Sequence, residues 1–182
     1  MSEPLSKYKE KRNFEATPEP RNFKSKNEGR SYVIQKHDAS RLHYDFRLEH
    51  DGVLLSWAVP KGPSLDPALK RLAVHVEDHP VSYGTFAGTI PKGNYGAGTV
   101  EIWDSGTWTP EGDVDQMMQS GSLKFILHGS RLQGKWALVK MKTQEENQWL
   151  LIKERDEFAI DGDKDKVLTR SVKMGGTQPK KF

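Results

Sequence analysis

Between positions 37 and 47 the chain carries His37, His43, Asp45 and Arg47, four side chains whose types suit metal and phosphate chemistry. The last three alternate in the run Leu42-His43-Tyr44-Asp45-Phe46-Arg47-Leu48. A strand sends successive side chains to opposite faces, so this spacing aligns three polar groups on one face. It predicts that Leu42, Tyr44, Phe46 and Leu48 are buried on the other. Two neutral imidazoles and a carboxylate suit Mn²⁺, Fe²⁺ or Zn²⁺ and leave coordination positions open for water or substrate. A guanidinium fork matches phosphate oxygens. Taken singly, each histidine reads as an ordinary hydrogen-bonded strand residue. An Asp–Arg ion pair explains the two charges but not the two imidazoles beside them.

A second cluster is His75-Val76-Glu77-Asp78-His79-Pro80, in which His75, Glu77 and His79 share one parity. A carboxylate two positions from an imidazole can orient it or support a metal ligand. His79 at the strand end, with Tyr83 four residues on, could face a substrate phosphate; the bland alternative is a polar strand end. Three other motifs carry less. Ile90-Pro91-Lys92-Gly93-Asn94-Tyr95-Gly96-Ala97-Gly98 opens onto the strand-like Thr99–Trp103, whereas phosphate-cradling glycine loops open onto a helix, so a tight turn or bulge is expected. Asp161-Gly162-Asp163 lacks the later glycine and glutamate of a calcium loop, since Lys166 and Val172 stand there. Trp57, Trp136 and Trp149 sit in apolar runs and are expected in the core rather than as stacking platforms.

These groups must be positioned by short β elements. Strands are predicted near Tyr32–Lys36, Leu42–Glu49, Val53–Val59, Arg71–Glu77, Thr99–Trp103, Leu123–Leu127, Trp136–Met141 and Trp149–Lys153. Asp51-Gly52 predicts a hairpin turn between the second and third. Pro60-Lys61-Gly62-Pro63 should end the third. One short helix is expected at Val114–Ser120, with Asp113 as N-cap and Gly121 after it. About eight short strands and little helix point to a mainly β fold, a small closed or nearly closed antiparallel β-barrel. Closure is preferred because it removes exposed edges.

At 182 residues the chain fits one domain with a sizeable core. It contains no cysteine, which excludes disulfides, thiolate metal sites and cysteine nucleophiles. No apolar run approaches bilayer length and no signal region follows Met1, so a cytoplasmic protein is expected. The net charge of +3 is unevenly spread. Residues 1–30 carry eight Lys/Arg against five Asp/Glu, residues 170–182 carry four basic residues and no acid, and residues 31–169 carry 16 and 20. The expected organisation is a flexible basic arm over 1–30, a β-barrel over 31–169 and a basic tail over 170–182. Basic ends attract phosphate backbones, although charged termini can also be merely solvated.

The ordered blocks Tyr32-Val33-Ile34-Gln35-Lys36-His37, Leu42–Leu48, Ser56-Trp57-Ala58-Val59-Pro60-Lys61-Gly62-Pro63, Glu77-Asp78-His79-Pro80, Ile90–Gly98 and Trp103-Asp104-Ser105-Gly106-Thr107-Trp108 resemble the phosphoesterase domain of bacterial DNA ligase D, the end-joining ligase. The resemblance covers roughly residues 8–155. It implies a β-barrel enzyme that uses manganese to remove a 3′-terminal ribonucleoside from DNA and then the 3′-phosphate, leaving a 3′-hydroxyl. It also implies DNA primer–template ends as substrate and ligase or polymerase activities as partners. By the same resemblance His37, His43 and Asp45 would be metal ligands, and Arg47, His79 and Tyr83 would hold the scissile phosphate. Gln35 and Glu77 would support them, with Lys61 and Arg71 along the substrate groove. Lys11-Arg12-Asn13-Phe14 with Glu19-Pro20 is similar to the family's opening segment, and Arg12 and Glu19 fit functional positions there. The family usually has aspartate where this chain has Asn13, so that negative charge is not carried over.

Two rivals stand beside this reading. His43 and Asp45 with a distant His79 imitate the two-histidine, one-carboxylate triad of a non-haem Fe(II) oxygenase. A barrel with basic arms and exposed aromatics could also bind nucleic acid without catalysis.

Overall fold

A computed structural model describes residues 5–12, 29–163 and 166–169. Asn13, Glu19 and the rest of the expected arm beyond residue 12, apart from Gly29 and Arg30, lie outside the described residues, as does the tail 170–182.

Nine strands form one antiparallel sheet: β1 (Ser31–Asp38), β2 (Leu42–His50), β3 (Val53–Val59), β4 (Arg71–Pro80), β5 (Gly88–Ile90), β6 (Gly98–Pro110), β7 (Ser122–Gly129), β8 (Gln133–Lys140) and β9 (Gln148–Lys153). Their spatial order is β1-β2-β3-β4-β9-β8-β7-β6, and pairing of β1 with β6 closes these eight into a barrel. The three-residue β5 adds to the outside of β6 and was not expected from the sequence. Among the described residues no helix is long and apolar enough to cross a membrane.

The short helix expected at Val114–Ser120 is present as α2. The Asp113 carboxylate accepts from the Gln116 N–H, and Gly121 ends the helix in the left-handed region. Two further short helices flank the barrel: α1 (Ser6–Glu10) and α3 (Lys166–Thr169). The Asp51-Gly52 turn has φ of 54° and 83°, the positive pair a type I′ hairpin demands. It fixes His50 opposite Val53 and, by counting back, Arg47 opposite Ser56.

Alternation along β2 sends Tyr44, Phe46 and Leu48 into the barrel interior, where they meet Trp57, Trp103, Trp108, Phe125 and Trp136. The expectation that Leu42 joins them is corrected: it is 44% exposed at the start of β2, beyond the layer of interior side chains. The opposite, polar face of β2 points out of the barrel but is not open to water. Helix α1, a 3-10 turn (Val81–Thr85) and β5 cover it with a second apolar cluster of Leu5, Tyr8, Leu54, Tyr83, Phe86, Ile90 and Val100. Asp45 and Arg47 are therefore as buried as core residues.

Candidate active site

The register of β1 against β2 assembles the first half of the site. His37 pairs with His43 and Gln35 with Asp45, so four polar side chains share the covered outer face. His37 Nδ1 lies 3.5 Å and His43 Nε2 3.3 Å from the two oxygens of Asp45, and one ligand atom from each residue falls within 4.8 Å of the others. Donors around one cation at 2.0–2.2 Å stand roughly 3–3.5 Å apart, so this spacing fits a metal ion. The outer ring nitrogens strengthen the fit. His37 Nε2 donates to the carbonyl of Gly96 at 2.7 Å, and His43 Nδ1 donates to that of Arg41 at 3.1 Å. A carbonyl can only accept, so the proton of each neutral ring is held outward and its lone pair faces Asp45. Two lone pairs beside a carboxylate call for a cation. With no cation between them His43 would instead take up a second proton on Nε2: burial opposes that charge, but the resulting hydrogen bond and attraction to Asp45 outweigh it and raise the His43 pKa. Burial likewise opposes ionised Asp45, yet its contacts with His37, His43 and Arg47 hold its pKa far below the usual carboxylate range.

Arg47 is 3% exposed and fully directed. Its Nε donates to Gln35 Oε1 at 2.7 Å and its Nη1 to Ser56 Oγ at 2.8 Å, which leaves Nη2 beside Asp45 at 3.5 Å. Gln35 in turn donates from Nε2 to the carbonyls of Tyr83 and Phe86 at 2.7 and 3.0 Å. One amide thus ties the arginine fork to the 3-10 turn. The guanidinium also lies 4.9 Å from the centre of the Tyr83 ring.

The second wall comes from β4 and α1. The shared parity expected for His75, Glu77 and His79 is corrected, because the β3–β4 register shifts between Leu54 and Ser56. Such a bulge re-aims the side chains beyond it. Val76, opposite Ser56, faces the site, and after the bulge so do Glu77 and His79. His75 instead stacks on Trp57, with ring centres 5.0 Å apart.

His79 Nδ1 donates to the Glu77 carbonyl at 3.0 Å, so Nε2 is the acceptor of a neutral ring and Arg12 Nη2 approaches it at 3.3 Å. Burial, then the Arg47 and Arg12 charges, push the His79 pKa well down. Glu77 receives Lys11 at 3.0 Å and Arg12 at 3.4 Å. Burial opposes its charge, but a backbone hydrogen bond, then Lys11 and Arg12, outweigh that cost and lower its pKa.

All these groups line one pocket: Arg12, His37, His43, Asp45, Arg47, Glu77, His79 and Tyr83 share it with Ala39, Ser40, Tyr95 and Gly96. Lys11 included, three fixed cations face two carboxylates, a balance that favours an anionic ligand even before a metal enters.

A family model for the DNA Ligase D 3′-phosphoesterase domain matches residues 35–140, more than half of the chain. The chain belongs to that phosphoesterase family. It is 52% identical over 171 residues to the multifunctional non-homologous end joining protein LigD of Pseudomonas aeruginosa, covering 92% of this chain and 20% of that protein. The LigD protein of Mycobacterium bovis is 46% identical over 142 residues, 77% of this chain and 19% of that protein. The one from Mycolicibacterium smegmatis is 42% identical over 165 residues, 86% and 21%. The chain thus spans about a fifth of the length of these relatives.

For a member of the phosphoesterase family the residues expected from resemblance are unequally gathered. His37, His43, Asp45, Arg47, His79, Tyr83, Glu77 and Arg12 line the pocket, and Gln35 stands directly behind Arg47. Lys61, exposed in the turn after β3, and Arg71, half-buried at the start of β4, are not part of its wall. Sequence reasoning missed Ser56, Tyr8, Lys11 and Tyr95. Ser56 was recoverable from the Asp51-Gly52 turn, which sets it opposite Arg47. Tyr8 and Lys11 depend on where α1 docks, for which the sequence offers no spacing rule.

Proposed function

We propose that the chain is a manganese-dependent DNA 3′-end phosphoesterase of end joining, removing a 3′-terminal ribonucleoside as a phosphodiesterase and then the 3′-phosphate as a phosphomonoesterase. The observation behind this reading is one pocket in which His37, His43 and Asp45 face Arg47, Arg12 and His79. Its substrates would be primer–template 3′ ends in the cytoplasm, with ligase and polymerase activities as partners.

His37 Nδ1, His43 Nε2 and an Asp45 oxygen would hold the ion, which when bound supplies a polarised phosphoryl oxygen or a nucleophilic water. Nη2 of Arg47, beside Asp45, would grip a non-bridging oxygen from a fork already oriented by Gln35 and Ser56, so little ordering is needed as charge develops. Arg12 would take a second oxygen. In hydrolysis a water oxygen bonds to phosphorus and the ester bond to the departing oxygen breaks. That oxygen is the O5′ of the ribonucleoside in the first step and the O3′ of the DNA in the second, and each takes a proton. The neutral Nε2 of His79 is an acceptor that could take the proton from water; once protonated it could donate to the leaving oxygen.

The test is product analysis by gel of 3′-phosphate and 3′-ribonucleotide primer–templates, with and without Mn²⁺. Wild type should yield 3′-hydroxyl ends and His43→Ala none. Undiminished product in EDTA, or full activity in His43→Ala, would overturn the metal assignment. Oxygen consumption with Fe²⁺ and 2-oxoglutarate, or chelator-independent DNA binding with no end chemistry, would favour the two rivals instead.

A further inference from the structure

We infer that Tyr95 is the stacking platform for the nucleobase of the 3′-terminal nucleotide whose phosphate enters the pocket. This rests on the proposed function for the nature of the ligand, but the observations are its own. Tyr95 is 50% exposed, more than any other large hydrophobic side chain among the described residues, and it stands in the pocket wall. Isolated apolar side chains on a surface ordinarily need no explanation. This one stands on a loop tied by its own hydrogen bonds. Between β5 and β6 the Asn94 N–H bonds the Pro91 carbonyl, the Ala97 N–H bonds the Asn94 carbonyl, and the Asn94 side chain returns to Pro91. The next residue, Gly96, anchors His37 through its carbonyl. At the loop's end, Gly98 lies so close to β1 that a Cβ there would clash with the Asp38 carbonyl oxygen. The backbone that carries the ring is therefore tied to that of the metal ligands, while half of the residue's surface meets solvent.

Two cations connect this ring to the phosphate grip. Lys11 Nζ lies 4.8 Å and Arg12 Cζ 5.4 Å from its centre, and the same Arg12 reaches His79 Nε2 at 3.3 Å. The aromatic surface is thus one guanidinium away from the anion-binding groups, a separation that a nucleoside spans between its 3′-phosphate and its base. Bases stack on exposed aromatic rings without regard to sequence, because every base has a π-face. Tyr95 would accordingly distinguish an end that carries a base from one that has lost it, and would not select among the four bases.

The test is equilibrium binding by fluorescence anisotropy, in EDTA so that no turnover occurs. The probes are two primer–templates with a 3′-phosphate, one ending in an ordinary nucleotide and one in a tetrahydrofuran residue that lacks a base. Wild type should prefer the base-bearing end by about tenfold. That preference should collapse in Tyr95→Ala and persist in Tyr95→Phe. Equal loss of affinity for both ends in Tyr95→Ala would make the residue only an anchor for α1 and overturn the inference. So would a wild type without preference, or a preference that survives Tyr95→Ala. Phosphate release with Mn²⁺ is scored separately. A Tyr95-dependent preference without phosphate release would sink the proposed reaction and leave the platform standing, and the converse result would do the opposite.

Discussion

A side chain at Gly96 would begin 3.4 Å from Cε1 of His37, on a backbone with φ of +76°. The Gly96 carbonyl that orients the His37 ring thus belongs to a residue in the left-handed region, where a Cβ strains the backbone and would also touch that ring. Gly96→Ala should strain the turn and tilt the imidazole off its outward hydrogen bond. The expected outcome is about tenfold weaker Mn²⁺ binding with the fold intact, read by calorimetric titration without substrate. Unchanged affinity would show that the loop does not set the geometry of the ligand.

Gln35 is fully buried and divides its amide between Arg47 and two carbonyls of the 3-10 turn. Gln35→Ala leaves all three partners wanting, at about 2–4 kcal/mol of stability in urea unfolding. Gln35→Glu should also fail: its carboxylate suits Arg47 but offers no donor to the carbonyls of Tyr83 and Phe86. If the glutamate variant matched wild type in stability and turnover, the amide's double role would be refuted.

Asp78 gives the protein a titration of its own. Burial, and then repulsion from Glu77, push its pKa up to about 6. The folded state therefore holds this proton more tightly than the unfolded chain, whose aspartate titrates at about 3.9. Stability should fall as pH rises through that interval and stay level above it, as far as this group is concerned. Asp78→Asn removes the penalty. Discounted for partial solvent screening, it should gain about 1–2 kcal/mol at neutral pH and almost nothing near pH 4, measured by urea unfolding at both values.

Tyr8 is wholly buried against His79 and Tyr83, with ring centres 4.9 and 6.0 Å away, and Arg12 lies over its own ring at 4.0 Å. Tyr8→Ala should release α1 without unfolding the barrel, because its partners belong to the outer cluster. Trypsin should then cut at Lys9 and Lys11 at least about tenfold faster, while Mn²⁺ affinity stays near wild type. Unaltered cleavage would mean that other contacts hold the helix.

The barrel was legible because its strands alternate cleanly and because one dipeptide, Asp51-Gly52, fixes a register. The row His43, Asp45 and Arg47 followed from period two alone. Two local readings failed for reasons that alternation cannot encode. Leu42 has the right parity but lies past the end of the interior layer, and His75 shares parity with His79 only until the bulge opposite Leu54–Ser56 shifts the count. Among the neighbours of His79, Tyr83 was expected from its place four residues on, and the groups from the N-terminal segment were the least legible. They arrive on α1 from a distant part of the chain, and only tertiary packing brings Arg12 to that ring.

All five tryptophans lie in the interior cluster and none lines the pocket, where the aromatic rings are the tyrosines Tyr83 and Tyr95 with the histidines. The two aromatic populations are optically separable. Red-edge excitation, which reaches indole alone, would report the integrity of the barrel and remain silent about the pocket. A tyrosine-selective probe would sense the loading of the cleft. Intrinsic emission of this protein is thus a folding gauge rather than a ligand gauge, and a flat tryptophan signal on adding DNA carries no information about occupancy.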